Sequence, residues 1–168
     1  MICDFLSERS ISMHSEYLNK MKLQYSILEK SYPCIAERKM AEIQKMRVPY
    51  KDEILALRSE IAAHELFFDS FGAKNQTSAL IKSSYSSEAS FLYEIYEAAR
   101  KMGNCFAFVS RTNRGVETVF GTPGEILKIK NPVLAIDLYE HSYFLDYGFD
   151  RESYIKNMLS YLSSNKVI

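Results

Sequence analysis

The chain has 168 residues, of which 47% are hydrophobic and 25% charged, which is typical of a globular domain and argues against disorder. Its 21 basic and 21 acidic residues balance, so no basic excess indicates nucleic acid or an anionic membrane as a partner. No apolar run approaches the roughly 20 residues that span a bilayer, and acidic residues and Arg come too early in the N-terminal segment for a signal-peptide core. Three cysteines without CxxC spacing are typical of reduced thiols, so we expect a cytoplasmic protein.

A long amphipathic helix is predicted near the N-terminus, over residues 7–31. Ser7 or Ser10 is the expected cap, and Pro33 ends the helix because it has no N–H to donate and restricts Tyr32 before it. One stripe of the helix carries apolar residues and a histidine at steps of three and four: Ile11, His14, Leu18, Met21, Tyr25, Leu28 and Tyr32.

A second amphipathic helix is predicted from about Tyr50 to Phe71, closed by Gly72. The segment between the two helices, residues 34–47, is polar and short, so we expect an antiparallel helical hairpin. The stripe of the second helix again combines apolar residues with a histidine: Leu57, Ile61, His64, Phe68 and Phe71.

The second half of the chain changes character. A helix is predicted in "SSEASFLYEIYEAARKMG", with Ser86 or Ser87 as cap and Gly103 as stop. Two short strands around a "TNRG" turn are predicted in "NCFAFVSRTNRGVETVF", and "PVLAID" predicts a third strand. Short helical segments and a final helix near Arg151 to Leu162 follow.

This order of elements predicts an α+β fold. An N-terminal lobe, residues 1–74, would be the antiparallel hairpin of long helices. A C-terminal α/β lobe, residues 75–168, would hold a small three-stranded antiparallel sheet surrounded by helices. The Ala, Asn, Ser and Thr content between Gly72 and Ser84 favours a boundary there.

Polar residues gather directly after the third predicted strand. The apolar run Val133–Ile136 is followed by Asp137, Glu140 and His141. One interpretation is a helix start, with Asp137 as N-cap and Glu140 three residues later closing a capping box. The other is a metal site with Asp137 and His141 as ligands. On these residues alone the capping box is favoured, because an isolated Asp-x-x-x-His pattern is weak.

The three histidines of the chain bear on this choice. His14 and His64 each lie on the apolar stripe of a long helix, where an imidazole needs a hydrogen bond or a metal. Either one alone is more typical of a hydrogen-bonded core histidine. Together with Asp137 and His141 they form a set of three nitrogens and one carboxylate oxygen, which suits iron, manganese or zinc.

Four segments of the chain resemble the iron/manganese superoxide dismutases. These are "FLSERSISMH", "AHELFF", "MGNCFAF" and "DLYEHSYFLDYGFDRESY", the last of which is similar to the C-terminal signature of that family. The resemblance implies that His14, His64, Asp137 and His141 bind one iron or manganese ion per subunit. It therefore favours the metal site over the capping box.

The resemblance also implies roles for residues around the ligands. Glu140 matches a glutamate that bridges the dimer, so a homodimer or tetramer is expected, and Arg151 matches an arginine near the substrate funnel. Phe106 and Tyr139 take places usually held by tryptophans, since this chain has no Trp.

The chain departs from the family at two places that supply a glutamine beside metal-bound solvent. They correspond to Glu60 and to about Gly121, and neither is Gln. Glu60 lies four residues before His64, so we expect it on the same helix face, approaching the metal-bound solvent.

Further departures affect the first helix. The family's gateway tyrosine falls at Lys22, and Tyr25 is the expected replacement because it lies on the His14 stripe. A histidine and its tyrosine partner across the interface fall at Leu18 and Phe144, so we expect that contact to be apolar. A rival alignment that matches His14-x-x-Tyr17 to a later His-x-x-Tyr would place an arginine at the ligand position, and it is disfavoured because it destroys the site.

The resemblance implies a superoxide dismutase that converts superoxide to O2 and hydrogen peroxide, with activity reduced by these departures. The alternative is a weak or inactive relative that acts as a metal-binding or interaction module. A zinc-dependent hydrolase is compatible with the ligand types, but no separate motif supports it.

Overall fold

The computed structural model describes residues 4–71, 81 and 84–164. Its helices and strands form the predicted α+β fold, with N-terminal helices, a small antiparallel sheet and C-terminal helices. Within the described ranges, no helix is both long enough and apolar enough to cross a membrane. The elements are α1 (Glu8–Ser31), a 3-10 helix (Pro33–Ile35), α2 (Met40–Ile43), α3 (Lys51–Asp69), α4 (Glu88–Ala99), β1 (Phe106–Thr112), β2 (Gly115–Gly121), a second 3-10 helix (Pro123–Leu127), β3 (Pro132–Asp137), α5 (Glu140–Tyr147) and α6 (Arg151–Ser164).

Helix α1 begins and ends where the sequence predicts. The Ser7 hydroxyl accepts a hydrogen bond from the Ser10 backbone N–H at 3.2 Å, which makes Ser7 the N-cap. The helix ends at Ser31, two residues before Pro33. Two contacts attach the N-terminal end of the chain to α5: the Ser7 N–H donates to Asp146 Oδ2 at 2.8 Å, and the Tyr147 hydroxyl donates to the Phe5 carbonyl at 2.6 Å.

Helix α3 is buried on a wider face than the predicted stripe. Ile61 and His64 are buried as expected, but so is Phe67, whereas Leu57 and Phe68 are only half-buried. The reason is that α3 packs against α1 on one side and against β3 and the second 3-10 helix on another. The predicted stop at Gly72 lies outside the described residues, as does most of the predicted lobe boundary.

The sheet has the strand order β2-β1-β3, and both pairs are antiparallel as predicted. The turn between β1 and β2 leads into Gly115, whose φ of 130° favours glycine. In the register of the sheet, Phe106 of β1 pairs with Gly121 on one side and with Asp137 on the other. Three residues that the resemblance places near the metal therefore lie in one row across the sheet.

Both faces of the sheet are covered, because alternate residues of each strand point to opposite sides. On one face, Phe106, Phe108 and Ala135 pack with Ala63 and Phe67 of α3. The opposite face packs with α4 and α6 through Ala107, Val109, Leu134 and Ile136. Asp137 is two residues beyond Ala135 and therefore points to the α3 face.

Helix α4 begins at the predicted cap and ends earlier than predicted. Ser87 is the N-cap, and its hydroxyl accepts the Ser90 backbone N–H at 3.1 Å. The helix ends at Ala99, four residues before the predicted stop at Gly103. The guanidinium of Arg151 explains the difference, because it donates to the carbonyls of Ala99 (3.0 Å), Met102 (2.8 Å) and Gly103 (2.9 Å) and so holds a turn in place of further helix.

Arg151 is therefore expected to stabilise the fold. Arg151→Ala leaves three carbonyls without their charged donor and should lower the free energy of unfolding by about 2 kcal/mol. Arg151→Lys should recover only part of this, because an ammonium cannot match the fork of a guanidinium. The measurement is urea denaturation followed by circular dichroism.

Arg100 provides the matched control. Arg100 is the C-cap of α4, the helix whose end Arg151 contacts. It is exposed, and its guanidinium pairs with Glu97 at 2.8 Å. Arg100→Ala should leave the denaturation midpoint nearly unchanged. Equal midpoints for wild type and Arg151→Ala would contradict the structural role of Arg151.

Candidate metal centre

Four side chains from different parts of the fold converge in the interior. His14 comes from α1, His64 from α3, Asp137 from the end of β3 and His141 from the first turn of α5. Each offers one nitrogen or oxygen, and these atoms all lie within 4.8 Å of one another. The structure thus brings together the four residues that the resemblance implies as ligands. We call them the His–Asp cluster.

The distances within the His–Asp cluster suit a single ion. Asp137 Oδ2 lies 3.0 Å from His141 Nε2, 3.2 Å from His14 Nε2 and 3.6 Å from His64 Nε2. The Nε2 atoms of His64 and His141 are 3.2 Å apart. Donor atoms about 2.0–2.2 Å from a common ion are separated by roughly 3.0–3.8 Å when they meet it at roughly 90–120°.

The two oxygens of Asp137 have different partners, and this excludes the capping box. Oδ1 accepts the backbone N–H of Tyr139 at 2.9 Å, whereas Oδ2 faces the histidines. The N-cap of α5 is Tyr139, without a side-chain hydrogen bond, and Glu140 is the first helical residue. The capping-box interpretation was wrong because the helix begins two residues later than it requires.

The histidines show which of their nitrogens are available. His64 Nδ1 donates to the Glu60 carbonyl oxygen at 2.7 Å, so Nε2 is left with a lone pair directed into the cluster. Both nitrogens of His14 are buried and have no hydrogen bond within the described part of the chain. The 3.2 Å approach of His14 Nε2 to Asp137 does not have hydrogen-bond geometry. An unsatisfied buried imidazole is costly, and a metal ion bound at Nε2 would satisfy that nitrogen.

The protonation states also favour metal binding. Burial alone would raise the pKa of Asp137, but the neighbouring imidazoles of His14 and His141 outweigh it and hold this pKa well below its usual range. Burial lowers the pKa of His64 to about 4. Burial would also lower the pKa of His141, but Asp137 raises it above the usual value. At neutral pH the cluster therefore contains a carboxylate and a neutral His64, the states in which both bind metals.

Aromatic rings surround the ligands. Phe106 is buried, with its ring edge-on to His64 at 5.3 Å between centroids, and Tyr139 stacks on His141 at 5.7 Å. Tyr17 packs against both His141, at 5.0 Å, and His64, at 5.4 Å. Tyr17 was not predicted as a site residue from the sequence. Its position three residues after His14 could have predicted it, because this spacing puts both side chains on one helix face.

Glu60 lies next to His64, whereas Gly121 is separated from Asp137 by Phe106 in the row across the sheet. Glu60 Oε2 is 3.7 Å from His64 Nδ1, and burial together with the charge of Asp137 raises the pKa of this carboxyl. Gly121 ends β2, where a Cβ would lie 2.5 Å from Cγ of Glu125. A glutamine therefore cannot be accommodated at position 121 without displacing Glu125.

Tyr25 does not lie at the cluster where it was expected, and Lys22 and Leu18 are engaged within the chain. The Tyr25 hydroxyl accepts a hydrogen bond from Arg58 Nη1 at 2.6 Å, and Lys22 pairs with Glu65 at 2.7 Å. Tyr25 is not at the cluster because eleven residues of helix carry it roughly 16 Å along the axis from His14. Leu18 is buried in the chain's own core with Met21 and Tyr25, so it has little surface for a partner subunit.

One side of the cluster opens to the surface. Of the four residues only His141 is exposed, with 35% of its side chain accessible, and Glu140 beside it is also exposed. Phe144 is 47% exposed, and its ring lies 5.4 Å from that of the 96% exposed Phe149. A surface pocket of about 370 Å³ reaches this side, lined by Met13, His14, Glu16, Tyr17, Lys20, His141, Phe144 and Leu145.

Comparison with known proteins agrees with this geometry. Residues 73–167 match the family described as "Iron/manganese superoxide dismutases, C-terminal domain", which is more than half of the chain. The chain belongs to the iron/manganese superoxide dismutase family. This confirms the resemblance found in the sequence.

Two relatives in the iron/manganese superoxide dismutase family have curated names. The chain is similar to "Superoxide dismutase [Mn]" of Acinetobacter baylyi, with 27% identity over 92% of this chain and 72% of that protein. It is also similar to "Superoxide dismutase [Fe]" of Cupriavidus metallidurans, with 29% identity over 62% of this chain and 57% of that protein. The two relatives carry different metals in their names, so the family alone does not choose between iron and manganese.

The His–Asp cluster predicts a clear result for metal retention. Purified protein should retain about one iron or manganese ion per chain, and His64→Ala should lose it, because the variant removes one of four donors from a buried site. Elemental analysis after gel filtration measures the occupancy. Lys22→Ala, which removes an exposed residue paired with the neighbouring Glu65, is the control and should keep the ion. Full occupancy in His64→Ala would show that the cluster does not hold the metal.

Proposed function

We propose that this chain is a superoxide dismutase that depends on one iron or manganese ion held by His14, His64, Asp137 and His141. The observation that carries the proposal is the convergence of every histidine of the chain on one buried carboxylate. Membership of the iron/manganese superoxide dismutase family supports the same chemistry.

The bound ion would supply one-electron redox chemistry, by which one superoxide is oxidised to O2 and a second is reduced, with two protons, to hydrogen peroxide. The residues of the chain hold the donors in place. The Tyr139 N–H fixes the Asp137 carboxylate, and the Glu60 carbonyl fixes the tautomer and orientation of His64. The negative charge of Asp137 favours the more highly charged, oxidised ion.

The open side of the cluster supports access by a small anion. The pocket ends at His14 and His141, and Lys20 on its wall contributes a positive charge. Glu16 also lines the pocket, so its negative charge offsets that of Lys20. Attraction of superoxide is therefore limited to the immediate surroundings of Lys20.

The presence of Glu60 favours a superoxide dismutase activity in this chain that is lower than that of family members with a glutamine at this place. An ionised carboxylate cannot donate a hydrogen bond to metal-bound solvent, as a glutamine would, and its negative charge next to His64 favours the oxidised ion. Both effects slow the half-reaction in which the ion takes an electron from superoxide.

Replacement of Glu60 tests this account. Glu60→Gln should raise superoxide turnover per bound ion roughly tenfold, which corresponds to about 1.4 kcal/mol in the barrier. A competition assay with cytochrome c, normalised to metal content, measures the rate. Glu53→Gln changes the same residue type two turns earlier on α3, where it is exposed, and should have no effect. An unchanged rate in Glu60→Gln would place the cause of weak activity elsewhere.

The departures on α1 favour a second candidate, a metal-binding scaffold with little catalysis. Lys22 is engaged with Glu65 and Leu18 is in the core, so neither supplies the polar groups that the family has there. The same assay separates the candidates, because the scaffold would retain the ion and show no turnover above that of His64→Ala.

We further propose that the protein assembles at least as a homodimer through the surface around Glu140. His141 directs Nε2 into the cluster, which leaves Nδ1 without a hydrogen bond in the described part of the chain. A carboxylate from a second copy, namely Glu140 of the partner subunit, would satisfy it. The exposed ring of Phe149, which does not line the pocket, lies beside this surface and would be covered by the partner.

Substitution of the exposed ring tests the assembly. The wild-type chain should be a dimer or tetramer at micromolar concentration by light scattering, and Phe149→Asp should shift it towards the monomer, because a charge then lies in an apolar contact. Tyr93→Asp is the control, since Tyr93 is 66% exposed on α4. A monomeric wild type, or a Phe149→Asp variant that assembles like the control, would rule out this surface.

A further inference from the structure

Tyr154 contacts the segment that carries two of the four residues of the His–Asp cluster. It lies in the first turn of α6 and is completely buried. Its hydroxyl donates a hydrogen bond to the backbone carbonyl of Asp137 at 2.7 Å. Its ring stacks on the ring of Tyr143, two residues after His141, at 4.9 Å between centroids. Tyr154 is therefore in contact with the segment both before and after His141.

The peptide bond between Asp137 and Leu138 is held at both of its polar ends. Its carbonyl accepts the hydrogen bond from Tyr154, and its N–H, which belongs to Leu138, donates to the Cys105 carbonyl at 2.9 Å. The C=O and N–H of a planar trans peptide point in opposite directions. Bonds at both ends, one from α6 and one from the residue before β1, therefore fix the orientation of this peptide.

The orientation of this peptide bears on the Asp137 carboxylate. Oδ1 accepts the Tyr139 N–H at 2.9 Å, and Oδ2 lies 3.0 Å from His141 Nε2. The Asp137–Leu138 peptide is part of the short loop that the bond to Oδ1 closes. A change in its orientation would alter the distance between Oδ1 and the Tyr139 N–H, and with it the direction of Oδ2.

The hydroxyl and the ring of Tyr154 have separable tasks. The ring fills the core between α5 and α6, where a phenylalanine would occupy nearly the same volume. A buried phenol needs a hydrogen-bond partner, and here the partner is the carbonyl of a residue of the cluster. Tyr147 offers a comparison, because its hydroxyl donates to the Phe5 carbonyl at 2.6 Å, away from the cluster.

We infer that Tyr154 is a positioning residue of the His–Asp cluster. Its hydroxyl fixes the Asp137–Leu138 peptide and so holds the Asp137 carboxylate towards the three histidines. Tyr154 acts through the backbone rather than by binding the ion. The positioning of the carboxylate follows from the contacts alone. Its effect on metal affinity rests on the proposed function, because it concerns the bound ion.

The positioning is tested on metal-free protein by amide hydrogen exchange, followed by NMR at the Tyr139 N–H. Tyr154→Phe keeps the ring and removes the hydroxyl, and exchange at Tyr139 should be about tenfold faster than in wild type. Tyr147→Phe is the matched control, because it removes an equally short bond to a backbone carbonyl, and it should leave this rate unchanged. Equal rates in wild type and Tyr154→Phe, or the same acceleration in Tyr147→Phe, would overturn the inference.

The effect on the metal is tested by titration of metal-free protein with cobalt(II), followed by visible absorption. The dissociation constant of Tyr154→Phe should be at least about tenfold higher than that of wild type. Its absorption bands should also shift, because the carboxylate meets the ion at a different angle, whereas a loss of stability alone leaves the bands of the folded protein in place. Tyr147→Phe should match wild type in both respects. Wild-type affinity and bands in Tyr154→Phe would overturn the effect.

Restoring a donor at the same position completes the test. 4-Aminophenylalanine in place of Tyr154 carries an N–H donor that is weaker than a phenol, so its cobalt affinity should lie between those of wild type and Tyr154→Phe. If Tyr154→Phe loses its cooperative thermal transition, wild type and this variant are compared, and equal affinities and exchange rates would overturn the inference. If wild type binds neither cobalt, iron nor manganese, the proposed function fails, while exchange at Tyr139 still decides whether Tyr154 positions Asp137.

Discussion

The buried negative charge of Asp137 is the constraint on which the rest of the structure depends. A carboxylate removed from water is stable only when it is paired and hydrogen-bonded. Asp137 meets this requirement with three imidazoles around Oδ2 and one backbone N–H on Oδ1. These partners come from α1, α3 and the segment around α5, so no single element can supply the site. The sheet register adds to this by placing Asp137 beside the buried Phe106.

Much of the fold could be predicted because its signals are local. Ser7 and Ser87 cap their helices through side chains only three residues from their partners, and the strands follow from short apolar runs between turns. The end of α4 could not be predicted in this way. It depends on Arg151, which is far along the chain and donates to carbonyls that any sequence would present there.

Some residues of the candidate site could be predicted from the sequence, whereas others depend on packing that the sequence does not show. The four residues of the His–Asp cluster were found because the resemblance fixes residue types at matched positions. Tyr25 was expected at the cluster because a stripe defines a helix face, but a stripe does not give the distance along the axis. Tyr17 was overlooked for the opposite reason, since nothing in an alignment shows that a ring at this position reaches His64. Leu18 packs in the chain's own core with Met21 and Tyr25, a contact that its match to a family position does not reveal.

The place of His14 and His141 near opposite ends of the chain has a consequence for folding. A bound ion would act as a reversible cross-link that closes a loop of most of the protein, and contacts of such long sequence separation form late because the closure entropy must first be overcome. The ion would thus enter only after the N-terminal helices have docked on the C-terminal half. The attachment of Ser7 to Asp146 and of Tyr147 to Phe5 closes almost the same loop with ordinary hydrogen bonds. These bonds align α1 with α5, so an ion would join two segments that are already held together.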